Sequence, residues 1–217
     1  LETETLEIPN YSALAAQNQG ALRFNTENTA HYITDYQGVL LEQILDTITD
    51  LDSTSKLQVV QERRLLAEAG SISFADLVPV IEKLTEEPSY LVVSGVKAVL
   101  NGLKLFVDEG SECEKSYHEL VVKLSKFNFD RLGFEAKEGE SDEDELVRQI
   151  VVGSLIAADD QAASQAASRI FAAHQEDLEK LPAAIRLHIL INQIKHFESK
   201  ELADQYLNDY VSTVDGT

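Results

Sequence analysis

The stretch at residues 131–158 most constrains the fold, because it contains a complete helix start followed by an apolar stripe. Ser141 lies three residues before Asp144, the spacing of a capping box in which each side chain accepts a hydrogen bond from the other residue's backbone N–H. Residues 142–145 are all acidic, which suits the first turn of a helix because the helix dipole favours negative charge there. Apolar residues then recur at helical spacing: Leu146, Val147, Ile150, Val151, Leu155 and Ile156. These signals predict a helix over residues 142–157 with one buried face.

The same period of 3.6 residues runs through the chain from Gly38 onward and predicts a mainly α-helical domain. Further helices are predicted near residues 39–48, 53–69, 73–84, 88–108, 111–126, 162–170, 182–194 and 199–210. Their connections are short, so neighbouring helices should form antiparallel pairs. Stacking of such pairs predicts a HEAT-like α-solenoid, although no sequence repeat marks its units.

Residues 1–37 have a different composition and predict short β-strands. Residues 5–8 can form a short strand, and residues 22–25 and 31–36 favour strand through their β-branched and aromatic side chains. Two or three strands are not stable as an isolated sheet, so we interpret them as the end of a β domain or as an edge packed on the helices. The helical domain is then predicted to span residues 38–217. Because the chain begins with Leu and contains no Met, we expect it to be part of a longer protein, with more helices after residue 217.

The strong negative charge limits the partners that the chain is expected to bind. It carries 38 acidic and 18 basic residues, a net charge of −20, which disfavours nucleic acids and anionic membrane surfaces. The charge either keeps the surface soluble or lines a cavity that attracts cationic ligands such as basic peptides. No apolar run approaches the roughly 20 residues of a membrane-spanning helix, and the acidic first residues are unlike a secretory signal. A single cysteine, Cys113, leaves no internal disulfide, so a cytoplasmic location is expected.

Motifs for catalysis and metal binding are incomplete. His118 and Glu119 begin the His-Glu-x-x-His pattern of zinc peptidases, but Val122 occupies the position of the second histidine. The remaining histidines are His31, His174, His188 and His196. His188 and His196 stand two helical turns apart, without an acidic third ligand beside them. No phosphate-binding glycine motif or nucleophile motif is present, so we expect no catalytic residue, metal ligand or cofactor in this chain.

Three segments, residues 22–45, 55–96 and 131–158, together resemble the C-terminal part of the zinc aminopeptidase N family (gluzincin aminopeptidases), especially members from lactic-acid bacteria and streptococci. The residues in the matching places are Phe24, Asn25, Tyr32, Tyr36, Lys56, Glu62, Leu66, Ala67, Gly70, Glu87, Tyr90, Leu132, Gly133, Phe134, Glu145, Leu146 and Arg148. Lys56 stands where the family pattern has Arg, and Phe134 stands where it has Trp. Val147 is inserted before the matching arginine.

This resemblance implies a specific role for the chain. In the family, zinc is held by an upstream catalytic domain, which releases N-terminal residues from peptides, and the helical domain covers the active site and shapes peptide access. Residues 1–37 would then be the end of the family's β-sandwich domain. The matched positions Lys56, Glu62, Tyr90 and Arg148 are expected to be structural rather than substrate-binding. The implied partners are the chain's own upstream catalytic domain and peptide substrates.

Two other classes of protein fit the helical pattern. A helical-repeat adaptor would bind a protein partner on a concave face, with no enzyme attached. A regulatory or scaffolding subunit with an acidic surface is the third interpretation. A peptidase motif encoded upstream of the chain would favour the aminopeptidase over both.

Overall fold

The computed structural model describes residues 7, 9–18, 22–26, 29–197, 200 and 203–204. The chain separates into two compact units, Leu1–Leu84 and Thr85–Thr217. The helix predicted near residues 199–210 lies outside the described residues except at positions 200, 203 and 204. No helix within the described ranges is both long enough and apolar enough to cross a membrane.

Helices dominate the described part of the first unit. They are α1 (Tyr11–Asn18), α2 (Gly38–Thr47), α3 (Ser53–Glu68) and α4 (Val78–Glu82), with 3₁₀ turns at Ile48–Asp50 and Phe74–Leu77. The buried apolar side chains from α2 onward include Ile44, Ile48, Val59, Val60, Leu77, Val80 and Ile81. Unlike a purely apolar core helix, α3 also buries four polar or charged side chains, namely Ser55, Gln58, Glu62 and Arg63. This polar content makes α3 the functional candidate of the first unit.

Local signals set both ends of α3. The cap is Asp52, directly before the predicted start at residue 53, and its carboxylate accepts a hydrogen bond from the Ser55 N–H at 3.0 Å. Hydrogen bonds from the Ser55 side chain and backbone lower the pKa of Asp52. The helix ends at Glu68, and Gly70 follows the C-cap with φ +73°, a left-handed conformation that glycine adopts without strain. The predicted end is therefore confirmed.

The second unit is built around α7. Its helices are α5 (Tyr90–Lys104), α6 (Glu112–Leu132), α7 (Asp142–Ala157), α8 (Gln161–His174) and α9 (Arg186–Phe197), with a 3₁₀ turn at Leu178–Lys180. Helix α7 packs against α5, α6, α8 and α9. The core residues are Leu132, Phe134, Val147, Val151, Val152, Leu155, Ile156, Ala163, Ala167, Leu181, Ile185, Ile189 and Leu190. Of the apolar stripe predicted for residues 146–156, Val147, Val151, Leu155 and Ile156 lie in this core, whereas Leu146 is 40% exposed and Ile150 is partly buried.

The start of α7 forms as the sequence predicts. Ser141 Oγ accepts a hydrogen bond from the Asp144 N–H at 3.2 Å, and Asp144 Oδ2 accepts one from the Ser141 N–H at 3.1 Å. Both bonds of the capping box are present. Helix α8 contributes small side chains to the core, since Ala163 and Ala167 are 0% exposed.

Some helix boundaries differ from the prediction. Helix α6 continues past residue 126 to Leu132 and stops at Gly133, which has φ +62°. Helix α5 ends at Lys104 rather than near residue 108. The predicted helix start at Pro182 is also moved, because α9 begins at Arg186. Terminal turns are the least determined part of a helix, since few hydrogen bonds hold them.

The predicted β remnant is not seen in the described residues of the first unit. Residues 22–25 and the 31–36 segment contain no strand, and the strand predicted at residues 5–8 lies outside the described residues except at position 7. Some polar groups there form local hydrogen bonds: the Asn25 side chain exchanges two with the Ala30 backbone, and Tyr36 Oη accepts one from the Phe24 N–H at 2.8 Å. A strand requires a neighbouring strand for its backbone groups, and side-chain propensity alone cannot supply one. The solenoid stacking and the domain boundary between residues 37 and 38 stay predictions.

Candidate functional site

The histidines on α9 contact different partners. His196 Nε2 lies 3.2 Å from Asp159 Oδ1, whereas the His188 ring packs against Gly153. Asn192, between them on α9, is 0% exposed, and its amide donates two hydrogen bonds of 3.1 Å to α8. Across the described ranges, no group of three or more His, Cys, Asp or Glu side chains could hold a metal ion.

A partly buried lysine and a partly buried histidine lie together among α5, α7 and α9. Lys97 Nζ on α5 donates to Ser154 Oγ on α7 at 3.1 Å. Burial lowers the pKa of Lys97. Burial, and secondly the charge of Lys97, lowers the pKa of His188 and favours its neutral imidazole. Among the described residues, no carboxylate forms a hydrogen bond or salt bridge with Lys97.

Gly153 allows the close approach of α9 to α7. A Cβ atom at this position would lie 2.5–2.9 Å from three atoms of the His188 ring. Those distances are shorter than van der Waals contact, so only glycine fits beside the ring in this arrangement. The glycine therefore sets the position of His188.

Arg148, one of the four family-matched positions, forms a buried ion pair. Its side chain is 2% exposed, and Nη2 donates to the carboxylate of Glu140 in the loop before α7. This hydrogen bond lowers the pKa of Glu140. The pair joins the loop before α7 to the helix itself.

A second arginine extends this polar network to α6. Arg131 donates to the Asp144 carboxylate from Nη1 and to Asn128 Oδ1 from Nη2, the latter at 3.0 Å. The pKa of Asp144 is lowered to about 2, first by the Arg131 side chain and then by the Ser141 N–H. Asn128 Nδ2 in turn donates to the Glu87 carbonyl at 2.9 Å. Hydrogen bonds thus join α6, the start of α7 and the segment before α5.

The other three matched positions occupy separate places. Tyr90 begins α5 and packs against the core of the second unit. Lys56 lies partly buried in the first turn of α3, and Glu62 lies two turns later on the same helix, 7% exposed. Because Lys56 and Glu62 belong to the first unit and Tyr90 and Arg148 to the second, neither unit contains all four.

Glu62 lines a cavity of about 460 Å³ in the first unit. Gln58 precedes it by one helical turn, and Gln58 Nε2 donates to Glu62 Oε1 at 3.0 Å. The opposite wall is formed by residues 30–33, including Tyr32 and Ile33. Gln58 Oε1 and Glu62 Oε2 are both buried and have no hydrogen-bond partner among the described residues. A buried carboxylate beside a cavity is the strongest ligand-binding feature of the described residues.

Two further cavities of about 510 Å³ each lie in the second unit. One is lined by polar and charged residues that include Asp159, Lys195 and His196. Its charges are already paired, since Lys195 and His196 both contact Asp159. The other is mainly apolar and lies beside Phe134 and Ile170.

The sequence marked Glu62 only as a family-matched position with an expected structural role, and it gave no indication of its partner Gln58. Gln58 belongs to no motif, and its only signal is its spacing, since a residue four positions before Glu62 shares its helix face. Lys97, Ser154 and Gly153 were also missed, because α5 and α7 are far apart in sequence. No local pattern marks such a contact.

Comparison with known proteins gives a consistent result. A family model described as the ERAP1-like C-terminal domain matches residues 22–217. The chain is 53% identical over 216 residues to aminopeptidase N of Lactococcus lactis subsp. lactis, covering 99% of this chain and 25% of that protein. It is 35% identical over 215 residues to aminopeptidase N of Lactobacillus helveticus, covering 99% of this chain and 26% of that protein. Aminopeptidase M1-B of Oryza sativa subsp. japonica is 26% identical over 152 residues, which cover 65% of this chain and 17% of that protein.

Proposed function

The chain belongs to the ERAP1-like C-terminal domain family, and we propose that it is the C-terminal part of a zinc-dependent aminopeptidase that releases N-terminal residues from peptides. The observation that carries the proposal is the 53% identity to aminopeptidase N of Lactococcus lactis along 99% of the chain. The chain spans about a quarter of the length of that relative. Catalytic chemistry would therefore reside in the upstream part of the protein.

Within such an enzyme, this part covers the active site and shapes the path by which peptides reach it. The fold supports that role, because α7 is held by four neighbouring helices and presents a packed, stable body. Zinc is the metal that the family implies, but the described residues provide no set of ligands for it. The zinc ligands would then lie in the upstream part of the protein.

The expected partners are the upstream catalytic domain and peptide substrates, in the cytoplasm. The net charge of −20 supports peptide binding through their amino groups, because an acidic surface attracts cationic ends during association. Under this proposal the matched residues Lys56, Tyr90 and Arg148 maintain the fold.

The first experiment is to sequence the reading frame upstream of Leu1 and to assay the complete protein with an aminoacyl anilide. The proposal expects a His-Glu-x-x-His motif upstream, zinc-dependent hydrolysis by the complete protein, and no zinc binding or hydrolysis by residues 1–217 alone. Zinc-dependent hydrolysis by the separate chain would overturn it. A frame without a peptidase motif would favour the helical-repeat adaptor.

The covering role needs its own test. Hydrolysis of peptides of increasing length is compared between the complete protein and a version that ends at residue 37, with circular dichroism to confirm folding. The proposal expects the preference among peptide lengths to change on truncation. If the truncated enzyme does not fold, hydrogen exchange of the complete protein with a bound peptide inhibitor replaces the comparison, and absence of protection anywhere in residues 38–217 contradicts the role.

A further inference from the structure

The cavity beside α3 contains acceptor groups that lack a donor. Glu62 is 7% exposed and Gln58 is 5% exposed, so both side chains are more than nine-tenths buried. Each keeps one oxygen without a hydrogen-bond partner, Glu62 Oε2 and Gln58 Oε1. Buried polar atoms in folded proteins are almost always hydrogen-bonded, so two neighbouring exceptions beside a cavity call for a ligand or partner group.

The orientation of both side chains is fixed by their mutual contact. Gln58 Nε2 donates to Glu62 Oε1 at 3.0 Å. Rotating the amide by 180° would place an oxygen against the carboxylate, so the free atom of Gln58 is an acceptor. The two unpaired atoms are thus a carboxylate oxygen and an amide oxygen, which together select a positively charged donor.

Among the described residues, no cation forms an ion pair with Glu62. Arg63 follows it on α3, but its Nη1 donates to the Tyr36 carbonyl at 3.1 Å. The described residues that line the cavity include no lysine or arginine. Burial of a carboxylate without a cation is unfavourable, and a cationic ligand would offset that cost.

The remaining wall suits an organic cation rather than a bare ion. Tyr32 and His31 contribute rings, and Ile33 and Leu65 contribute aliphatic surface. Aromatic faces attract ammonium and guanidinium groups, and apolar side chains pack against an alkyl stem. The volume of about 460 Å³ lies in the range of small-ligand pockets.

We propose that this cavity binds a primary ammonium or guanidinium group, whose N–H groups donate to Glu62 Oε2 and Gln58 Oε1. The cation comes either from a ligand in solution, such as a basic side chain of a peptide, or from a lysine or arginine in the part of the protein outside this chain. The site does not depend on catalysis. If the cavity binds no cation, the aminopeptidase proposal is unaffected. If the protein is not an aminopeptidase, the binding test is still valid.

The experiment measures binding and thermal unfolding of the complete protein with n-butylammonium, n-propylguanidinium and tetramethylammonium as probes. Tetramethylammonium has the same charge but no N–H donor. The variants are Glu62→Gln, which removes the charge in place, and Glu68→Gln, a control at an exposed acid on the same helix. Glu68 pairs with Arg64 at the surface and does not line the cavity.

If the cation comes from solution, n-butylammonium and n-propylguanidinium should bind saturably to the unmodified protein and to the Glu68→Gln variant. The Glu62→Gln variant would bind on the order of tenfold more weakly, because a charge-assisted hydrogen bond is lost. Without a probe, its unfolding temperature would be equal or higher, since the buried charge is gone. Equal binding of tetramethylammonium would overturn the proposal.

If the cation comes from the protein itself, we expect the opposite results. No probe would bind, and Glu62→Gln would lower the unfolding temperature more than Glu68→Gln does. A structure of the complete protein would show a lysine or arginine nitrogen against Glu62 Oε2. No probe binding together with no basic group at Glu62 would overturn the proposal.

Discussion

Helices α3 and α7 are each 16 residues long and each buries a charged side chain, but they satisfy that charge differently. In α7, Arg148 meets the opposite charge of Glu140 from the preceding loop. In α3, the partner of Glu62 among the described residues is the neutral amide of Gln58. Glu62 Oε2 has no hydrogen-bond partner there, and the same is true of Glu140 Oε1 beside α7. The difference is therefore one of charge, because α7 has an opposite charge for its buried arginine and α3 has none for Glu62.

Replacing a buried residue of α7 tests how much the stability of the second unit depends on this helix, and we expect the greatest loss of stability there. Ile156 is 1% exposed, and Ile156→Ala removes buried carbon atoms and leaves a cavity. We expect a loss of about 2–5 kcal/mol in the free energy of unfolding, measured by urea denaturation. The matched control is Leu146→Ala on the same helix, which is 40% exposed and should cost far less. Equal losses would show that α7 is not the centre of this unit.

A smaller effect concerns the contact of Gly153 with His188. The Gly153→Ala variant should lose about 1 kcal/mol of unfolding free energy, because the added methyl group overlaps the ring and the repacking cost exceeds the gain in helix propensity. In a His188→Ala background the same substitution should stabilise by about 1 kcal/mol, since alanine favours helix over glycine. A double-mutant cycle by urea denaturation measures the coupling. Additive effects would contradict the contact.

The two helices begin alike, because an aspartate carboxylate accepts a backbone hydrogen bond at the start of each. Asp144 has its pKa lowered to about 2, below the ordinary value of 3.8. Its stabilising effect is fully present above pH 3.8 and is lost as pH falls toward 2, when the folded state must also take up the proton. Asp144→Asn should lower the free energy of unfolding by about 1 kcal/mol at pH 7. It should also reduce the loss of stability as pH falls from 3.8 toward 2.

The matching substitution in α3 is Asp52→Asn, since the pKa of Asp52 is also lowered. We expect its effect in the same direction but smaller, because asparagine still caps a helix and no arginine contributes to the lowered pKa. Acid denaturation curves of both variants, compared with the unmodified protein, check the pair. A larger loss at Asp52 would contradict the role given to Arg131.

The smallest effect concerns Lys97 and His188 in the second unit. Burial and the Lys97 charge lower the pKa of His188, so stability is full above pH 6.5 and declines as pH falls below it, where the unfolded chain binds the proton more readily. Lys97→Met should raise the pKa of His188 without restoring its ordinary value, because burial remains the larger cause. Titration of the imidazole signals by NMR measures the change. An unchanged pKa would show that the two charges do not interact.

Much of the second unit was predictable from short stretches of sequence. The capping box at Ser141 and Asp144 and the acidic first turn of α7 are confirmed, and most of its apolar stripe is buried, with Leu146 as an exposed exception. The family resemblance, based on three ordered segments, is confirmed by the match over residues 22–217. Each of these signals lies within one helix or within neighbouring segments.

The N-terminal strands show where that reasoning fails. Aromatic and β-branched residues at 31–36 favour strand, but a strand exists only when another strand accepts its hydrogen bonds. In the described residues Tyr36 is buried and its carbonyl accepts from Arg63, so this segment is tied to α3 rather than to a sheet. Propensity is a weak signal, and tertiary contact overrides it.

Most of the helices, the cap of α7, the net charge and the family could be predicted from residues that lie within a few turns of one another. Which buried groups meet depends on the packing of segments that are distant in the chain. Lys97 and Ser154 are 57 residues apart, and the cavity joins residues 30–33 to α3 residues that follow them by 25 to 35 positions. The physical reason is that periodicity tells which face of a helix is buried, whereas the partner of each buried charge depends on how separate helices pack.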